Sequence, residues 1–168
     1  MKQSITVASK SFTNGGWIPD RHSAYGENIS PELILEGIDP SAVSIAITLD
    51  DIDHPLFPGY NHWVAWNLPV LDVIPEGLPC GGVVERPFHM EQGIAYGKHC
   101  YKGPKPPFNW CHEYRFTVYI LDVKLRISPD SDKKALLDTM EGHVIQTGVM
   151  TGRYQRKRKD YVARCTDK

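Results

Sequence analysis

The chain of 168 residues has no apolar stretch approaching the roughly 18 residues that cross a bilayer as a helix. Its opening, MKQSITVASKSF, holds no apolar run of the length a secretory leader needs. Neither charge is in surplus: 19 Lys and Arg face 20 Asp and Glu, a net −1. That argues against a dedicated nucleic-acid binder, which carries a basic excess. Cysteine is sparse, with Cys80, Cys100, Cys111 and Cys165 at long spacings and no Cys-x-x-Cys pair. Such usage reads as reduced thiols in a reducing compartment and, with no leader in view, predicts a cytoplasmic protein. There is no internal repeat, low-complexity run or linker, so a single domain over 1–168 is expected.

What the chain does have is turn residues. Its 14 glycines and 13 prolines amount to about 16%, against an average of about 12%. This speaks against a helical bundle and for a mostly β chain. Three strands stand out. Val43 to Asp50 alternates apolar and small or polar residues with period two. His62 to Leu68 is apolar on both faces, as a central strand is. Glu113 to Asp122 sets Tyr114, Phe116, Val118 and Ile120 on one side and Arg115, Thr117 and Tyr119 on the other. Ser4 to Val7 and Gly152 to Ala163 read as weaker strands, and 69–110 as a long stretch dense in Gly and Pro. One helix is predicted, capped by Ser128-Pro129, with Leu136, Leu137, Met140 and Val144 recurring at helical spacing.

Three polar clusters fall where strands meet loops: Asp50-Asp51-Ile52-Asp53-His54-Pro55, Asn61-His62-Trp63, and Gly103-Pro104-Lys105-Pro106-Pro107 leading to His112-Glu113-Tyr114. Strand ends gather at sheet edges, and loops there carry function. A pocket floored by Asp51, His62 and His112 suits a small oxyanion, because imidazole N–H groups donate to phosphate or carboxylate oxygens. Asp51 would orient a histidine, accept a proton from a protonated phosphate, or meet an amine on the ligand. Prolines fix the walls, and His54-Pro55 or Pro106-Pro107 is a place for a cis bond.

Together these clusters resemble the phosphatidylethanolamine-binding protein family, in its bacterial Raf-kinase-inhibitor-like branch. The motifs are DIDHP (51–55), NHWVAWNLP (61–69) and YKGPKPPFNWCHEYRFTVYILD (101–122), with weaker echoes at NISPEL (28–33), YGKHCY (96–101), MEGHVIQTG (140–148) and GRYQR (152–156). The resemblance implies a mainly β fold of two packed antiparallel sheets with a few short helices. It also implies a non-enzymatic pocket, without cofactor, for a phosphate-type anion or phospholipid head group. The ligand residues it implies are Asp51, Pro55, His62, Pro106, Pro107, His112 and Tyr114. Ile52 and His54 depart from the family's usual residues. Glu113 stands where Arg is usual, and strand alternation turns it away from Tyr114's face. The resemblance further implies a regulatory role toward a kinase or protease, and exposed sheet surface allows a homodimer.

Two enzymatic alternatives follow from the same residues. One is a metal-dependent hydrolase using Asp51, Asp53, His54, His62 and His112; against it, the sequence has no His-x-x-x-His or His-Glu-x-x-His motif. The other is a Cys111–His112 nucleophile pair, which strand geometry disfavours because neighbours point to opposite faces. Finally, Arg153, Arg156, Lys157, Arg158 and Lys159 form a basic run. From residue 153 onward seven basic residues face two acidic ones. The run reads as a solvated terminal strand or as a contact for an acidic membrane surface or partner.

Overall fold

Long β-branched and aromatic runs set the framework, and short ones fill it. The computed structural model describes residues 3–156. Within them the strands are β1 (Thr6–Ala8), β2 (Leu33–Glu36), β3 (Ser44–Asp51), β4 (Tyr60–Leu68), β5 (Val73–Ile74), β6 (Val83–Val84), β7 (Met90–Gln92), β8 (Cys111–Leu121) and β9 (Val144–Gln155); the helix α1 (Lys133–Met140) precedes β9. The strands make two antiparallel sheets. One has the order β1-β2-β5, the other β6-β7-β4-β3-β8-β9. The three strands with the clearest sequence patterns are thus consecutive neighbours in the middle of the large sheet, β4-β3-β8.

The sheets pack face to face. Ile5, Val7, Leu33, Leu35 and Ile74 of the small-sheet layer meet Ile45, Ile47, Leu49, Trp63, Phe116, Val118 and Ile120 of the large one. β3 is buried along its whole length because both its faces are covered. On its far side Ala46 joins Val64, Trp66 and Leu121 under Leu136 and Met140 of α1. Two glycines inside β9 permit the close approach of the other layer. A Cβ on Gly148 would sit 2.5 Å from Ile5 Cγ1, and one on Gly152 2.5 Å from Ile18 Cγ1.

Several expectations need correction. The helix is capped by Asp132, whose side chain accepts from Ala135 N–H, not by Ser128. Ser128 Oγ is taken by Asp130 N–H in a local turn. Val144 is not helical: Gly142, at φ +82°, ends the turn after α1, and Val144 pairs with Leu121 in the sheet. The last strand starts earlier than expected, at Val144, and positions 157–163 of the expected strand lie outside the described residues. The one cis peptide bond among the described residues is Arg86-Pro87, not His54-Pro55 or Pro106-Pro107.

The cysteines also differ from expectation. Gly81 N–H bonds His99 C=O, which brings Cys80 and Cys100 to a Cα separation of 4.6 Å, and they form a disulfide. Cys111 is disulfide-bonded too. No described cysteine is a free thiol, so the cysteine argument for a reducing compartment does not stand. No helix among the described residues is long and apolar enough to cross a membrane.

Candidate functional site

The site forms where β3, β4 and β8 end together. Asp51 is the last residue of β3 and lies opposite Tyr60 of β4 on one side and Tyr114 of β8 on the other. Residues directly opposite share a face, so Asp51, Tyr60 and Tyr114 project together. His62 joins them through an irregularity. The β3–β4 register shifts between Leu49 and Asp50, leaving His62 as the extra residue between Asn61 and Trp63. A bulge of this kind re-aims a side chain. Asn61 clamps it, its Nδ2 reaching Leu49 O at 3.1 Å, Asp50 Oδ1 at 3.1 Å and Trp63 O at 2.9 Å.

Asp51 and His112 are both buried and directly bonded. His112 Nδ1 lies 2.8 Å from Asp51 Oδ2, a charge-assisted contact if Nδ1 carries the proton. Asp51 Oδ1 accepts from Asp53 N–H at 3.0 Å. The carboxylate therefore fixes both the imidazole and the loop that follows β3. With Nδ1 donating to Asp51, the ring's Nε2 is left for the cleft. His62 is fixed from the opposite wall: Nδ1 lies 2.9 Å from Lys102 O, and Nε2 is 3.4 Å from the Tyr96 hydroxyl. Burial holds its pKa below the ordinary value of 6.5, only partly offset by the Lys102 carbonyl and the Asp51 charge.

Tyr114 lies between the two histidines. Its ring meets His62 edge-on at 5.3 Å and His112 at 6.4 Å. The residue is fully buried, and its hydroxyl makes no hydrogen bond of normal geometry, with the Asp51 carboxylate and the Lys105 backbone nearby. Burial, and then the Asp51 charge, push its ionisation far up, so it is a neutral hydroxyl. Tyr96, held at φ +52° in the loop after β7, brings its hydroxyl to the same place. Its pKa is raised to about 12 by burial first, then by Tyr60 and Asp51. The Lys102 ammonium sits 3.6 Å from the centre of the Tyr96 ring.

Of the residues expected at the site, Asp51, His62, His112 and Tyr114 come together. Pro106 is buried, and its carbonyl accepts from the Tyr25 hydroxyl at 2.7 Å. Pro55 and Pro107 are exposed in the flanking loops 52–59 and 107–110. Glu113 faces away from the cleft, its backbone N–H bonding Asp53 Oδ2 at 2.8 Å. Sequence reasoning missed Tyr60, Tyr96 and the Lys102 carbonyl. The segment YGKHCY contained Tyr96 and the segment opening YKGP contained Lys102, but nothing local says that a tyrosine will take a positive φ or that a lysine will contribute its backbone. Among the described residues, no three His, Cys, Asp or Glu side chains are grouped to hold a metal ion. Asp53 and His54 thus do not complete a hydrolase centre. Cys111, in a disulfide, is no nucleophile.

Comparison with known proteins places this architecture. Residues 8–155 match the family described as phosphatidylethanolamine-binding protein. A UPF0098 protein of Pyrococcus abyssi is 41% identical over 157 residues, covering 92% of this chain and 88% of its own. The UPF0098 protein YbhB of Escherichia coli is 35% identical over 132 residues, or 75% of this chain and 83% of its own. Among solved structures, a phosphatidylethanolamine-binding protein homologue of Chlamydia trachomatis superposes with a TM-score of 0.81 at 31% identity, covering 92% of this chain and 99% of that one. E. coli YbcL superposes with a TM-score of 0.80 at 24% identity, covering 92% and 100%, and shares the fold.

Proposed function

Because the chain belongs to the phosphatidylethanolamine-binding protein family, we propose that its cleft is a non-enzymatic binding site for a small phosphate-type anion, as a free ion or as a phospholipid head group. The observation that carries this reading is the buried Tyr114 hydroxyl, which makes no well-formed hydrogen bond, set between His62 and an Asp51-oriented His112. An unmade hydrogen bond in a buried place is costly, and a ligand oxygen would make it. The Tyr114 hydroxyl donates to an oxygen of one tetrahedral anion, and His112 Nε2, the unprotonated nitrogen of a ring whose Nδ1–H bonds Asp51, accepts from the P–OH of that anion. Asp51 presents no free oxygen to the anion, because its oxygens are engaged by His112 and by Asp53 N–H, but its charge still faces the cleft. It adds a place where the ammonium of a zwitterionic head group lowers the local repulsion.

Calorimetric titration with inorganic phosphate and with phosphoethanolamine tests this. Both should bind the unmodified chain, and His112→Ala should weaken them by about tenfold or more, the worth of one hydrogen bond to a charged group. Equal binding by the variant would contradict the proposal. Whether binding also regulates a kinase or a protease is a separate matter, read by adding the pure protein to such an enzyme with and without the His112→Ala change.

A further inference from the structure

Lys102 enters the site twice, and anion binding uses only its backbone. Its carbonyl accepts from His62 Nδ1 at 2.9 Å, and its N–H donates to the His62 carbonyl at 3.2 Å. The two residues are locked together, so the Lys102 side chain starts from the cleft wall. Its amine nitrogen lies 3.6 Å from the centre of the Tyr96 ring. The same ring meets His62 edge-on at 4.9 Å and Tyr60 at 4.8 Å, and its hydroxyl stands 3.4 Å from His62 Nε2. One aromatic ring therefore separates the Lys102 amine from the place set between His62, His112 and Tyr114.

The surroundings of this amine differ from those of other lysines. Lys133 is paired with Asp50 and Lys134 with Asp138, each at 2.8 Å. Lys102 has no carboxylate partner among the described residues, and the weaker attraction of the Tyr96 ring is what favours its charge. Against that attraction stand burial and then the charges of Lys105 and Lys98, which hold its pKa below the ordinary value of 10.5. Lys98 and Lys105 are themselves exposed, whereas Lys102 is half-buried. Desolvation and neighbouring cations are the two conditions that ready a lysine amine to attack a carbonyl.

We propose that Lys102 is a covalent capture site for phosphorylated aldehydes, whose phosphate occupies the cleft while the Lys102 amine takes the aldehyde carbon. This capture rests on the cleft being an anion site and adds a substrate class to it. The amine lone pair forms an N–C bond to the carbonyl carbon and gives a carbinolamine. The C–O bond then breaks, the oxygen leaves as water with both amine hydrogens, and an imine remains. No electrons are gained or lost, and hydrolysis reverses the step. Both ends of the ligand matter. The bound phosphate holds the aldehyde at one amine and so makes its attack effectively intramolecular. The aldehyde must stand several bonds from the phosphate, because the Tyr96 ring lies between the two positions.

Pyridoxal phosphate is a suitable probe, with phosphate-free pyridoxal beside it. The full chain is incubated with either, the imines are fixed with borohydride, and the modified lysines are mapped by peptide mass spectrometry. The exposed Lys98 and Lys105 serve as internal comparators. The ratio of Lys102 labelling to theirs should be about tenfold or more higher with pyridoxal phosphate than with pyridoxal, the worth of one hydrogen bond to a charged group. Saturating inorganic phosphate should abolish that preference, and His112→Ala should lower it. Calorimetric titration with inorganic phosphate is run on the same protein. If phosphate binds but the ratio is equal for the two probes, or phosphate fails to slow Lys102 labelling, the capture proposal is overturned and the anion site stands. If phosphate does not bind at all, the anion-site reading fails and takes this proposal with it.

Discussion

At the scale of single residues, the site is built from groups that each lack something. Tyr114 lacks a well-formed hydrogen bond for a fully buried hydroxyl. Tyr114→Phe removes that group while keeping the ring between His62 and His112. Urea denaturation should find the variant as stable as the parent or more so, by about 1 kcal/mol, while its phosphoethanolamine affinity falls. Lower stability would mean that the hydroxyl is already satisfied in the empty protein. His62 lacks solvent, and burial holds its pKa below 6.5. His22, bonded to Ile29 C=O and Ser11 Oγ, is held low for the same reason. The unfolded chain therefore takes up protons near pH 6.5 that the folded protein takes up only at lower pH. The stability these residues contribute is present above that value and declines as pH falls through it toward their folded pKa values. Urea midpoints should drop between about pH 7.5 and about pH 5.5, with a smaller drop in His62→Gln. A slope of the opposite sign would contradict the assignment.

At the scale of elements, close backbone approach and cross-links hold the cleft loops. Gly103 sits on the loop whose Lys102 carbonyl fixes His62, and its N–H bonds Asn28 Oδ1 at 2.8 Å. A Cβ there would meet the His22 carbonyl oxygen at 2.0 Å. Gly103→Ala must therefore push the loop outward, and it should weaken phosphate binding as well as stability; calorimetry and denaturation read the two effects separately. An affinity equal to the parent's would mean that this loop does not set the position of His62. The Cys80–Cys100 bridge closes a stretch with a sequence separation of 20 just before that loop. Replacing both with Ser should cost about 3 kcal/mol, measured by denaturation under oxidising conditions. The element scale also shows where sequence reading falls short. Strands β3, β4 and β8 are long enough to display period or continuous apolarity. β5, β6 and β7 are two or three residues each, too short for any period, and they hide in the stretch rich in Gly and Pro. The helix start misled because Ser128-Pro129 and Asp132 are both sound capping signals, and only the backbone decides between them.

At the scale of the whole molecule, the legible part of the site is what the strands carry in order. Asp51, His62, His112 and Tyr114 stand at the ends of three strongly patterned strands, so ordered motifs were enough to group them. Tyr60, Tyr96 and the Lys102 carbonyl were not legible, because their convergence depends on a bulge, a positive φ and a long-range loop contact. The cysteine pairing escaped for a related reason: Cys80 and Cys100 stand 20 positions apart in sequence, and only the fold brings them together. The central claim is that one anion sits between His62 of β4 and the His112 and Tyr114 of β8. Imidazole NMR signals followed during titration with phosphoethanolamine test it most directly. The account predicts that His62 and His112 shift together with one saturation curve, while the distant, exposed His143, paired with Asp122, stays still. Saturable binding that moves neither His62 nor His112 would contradict it.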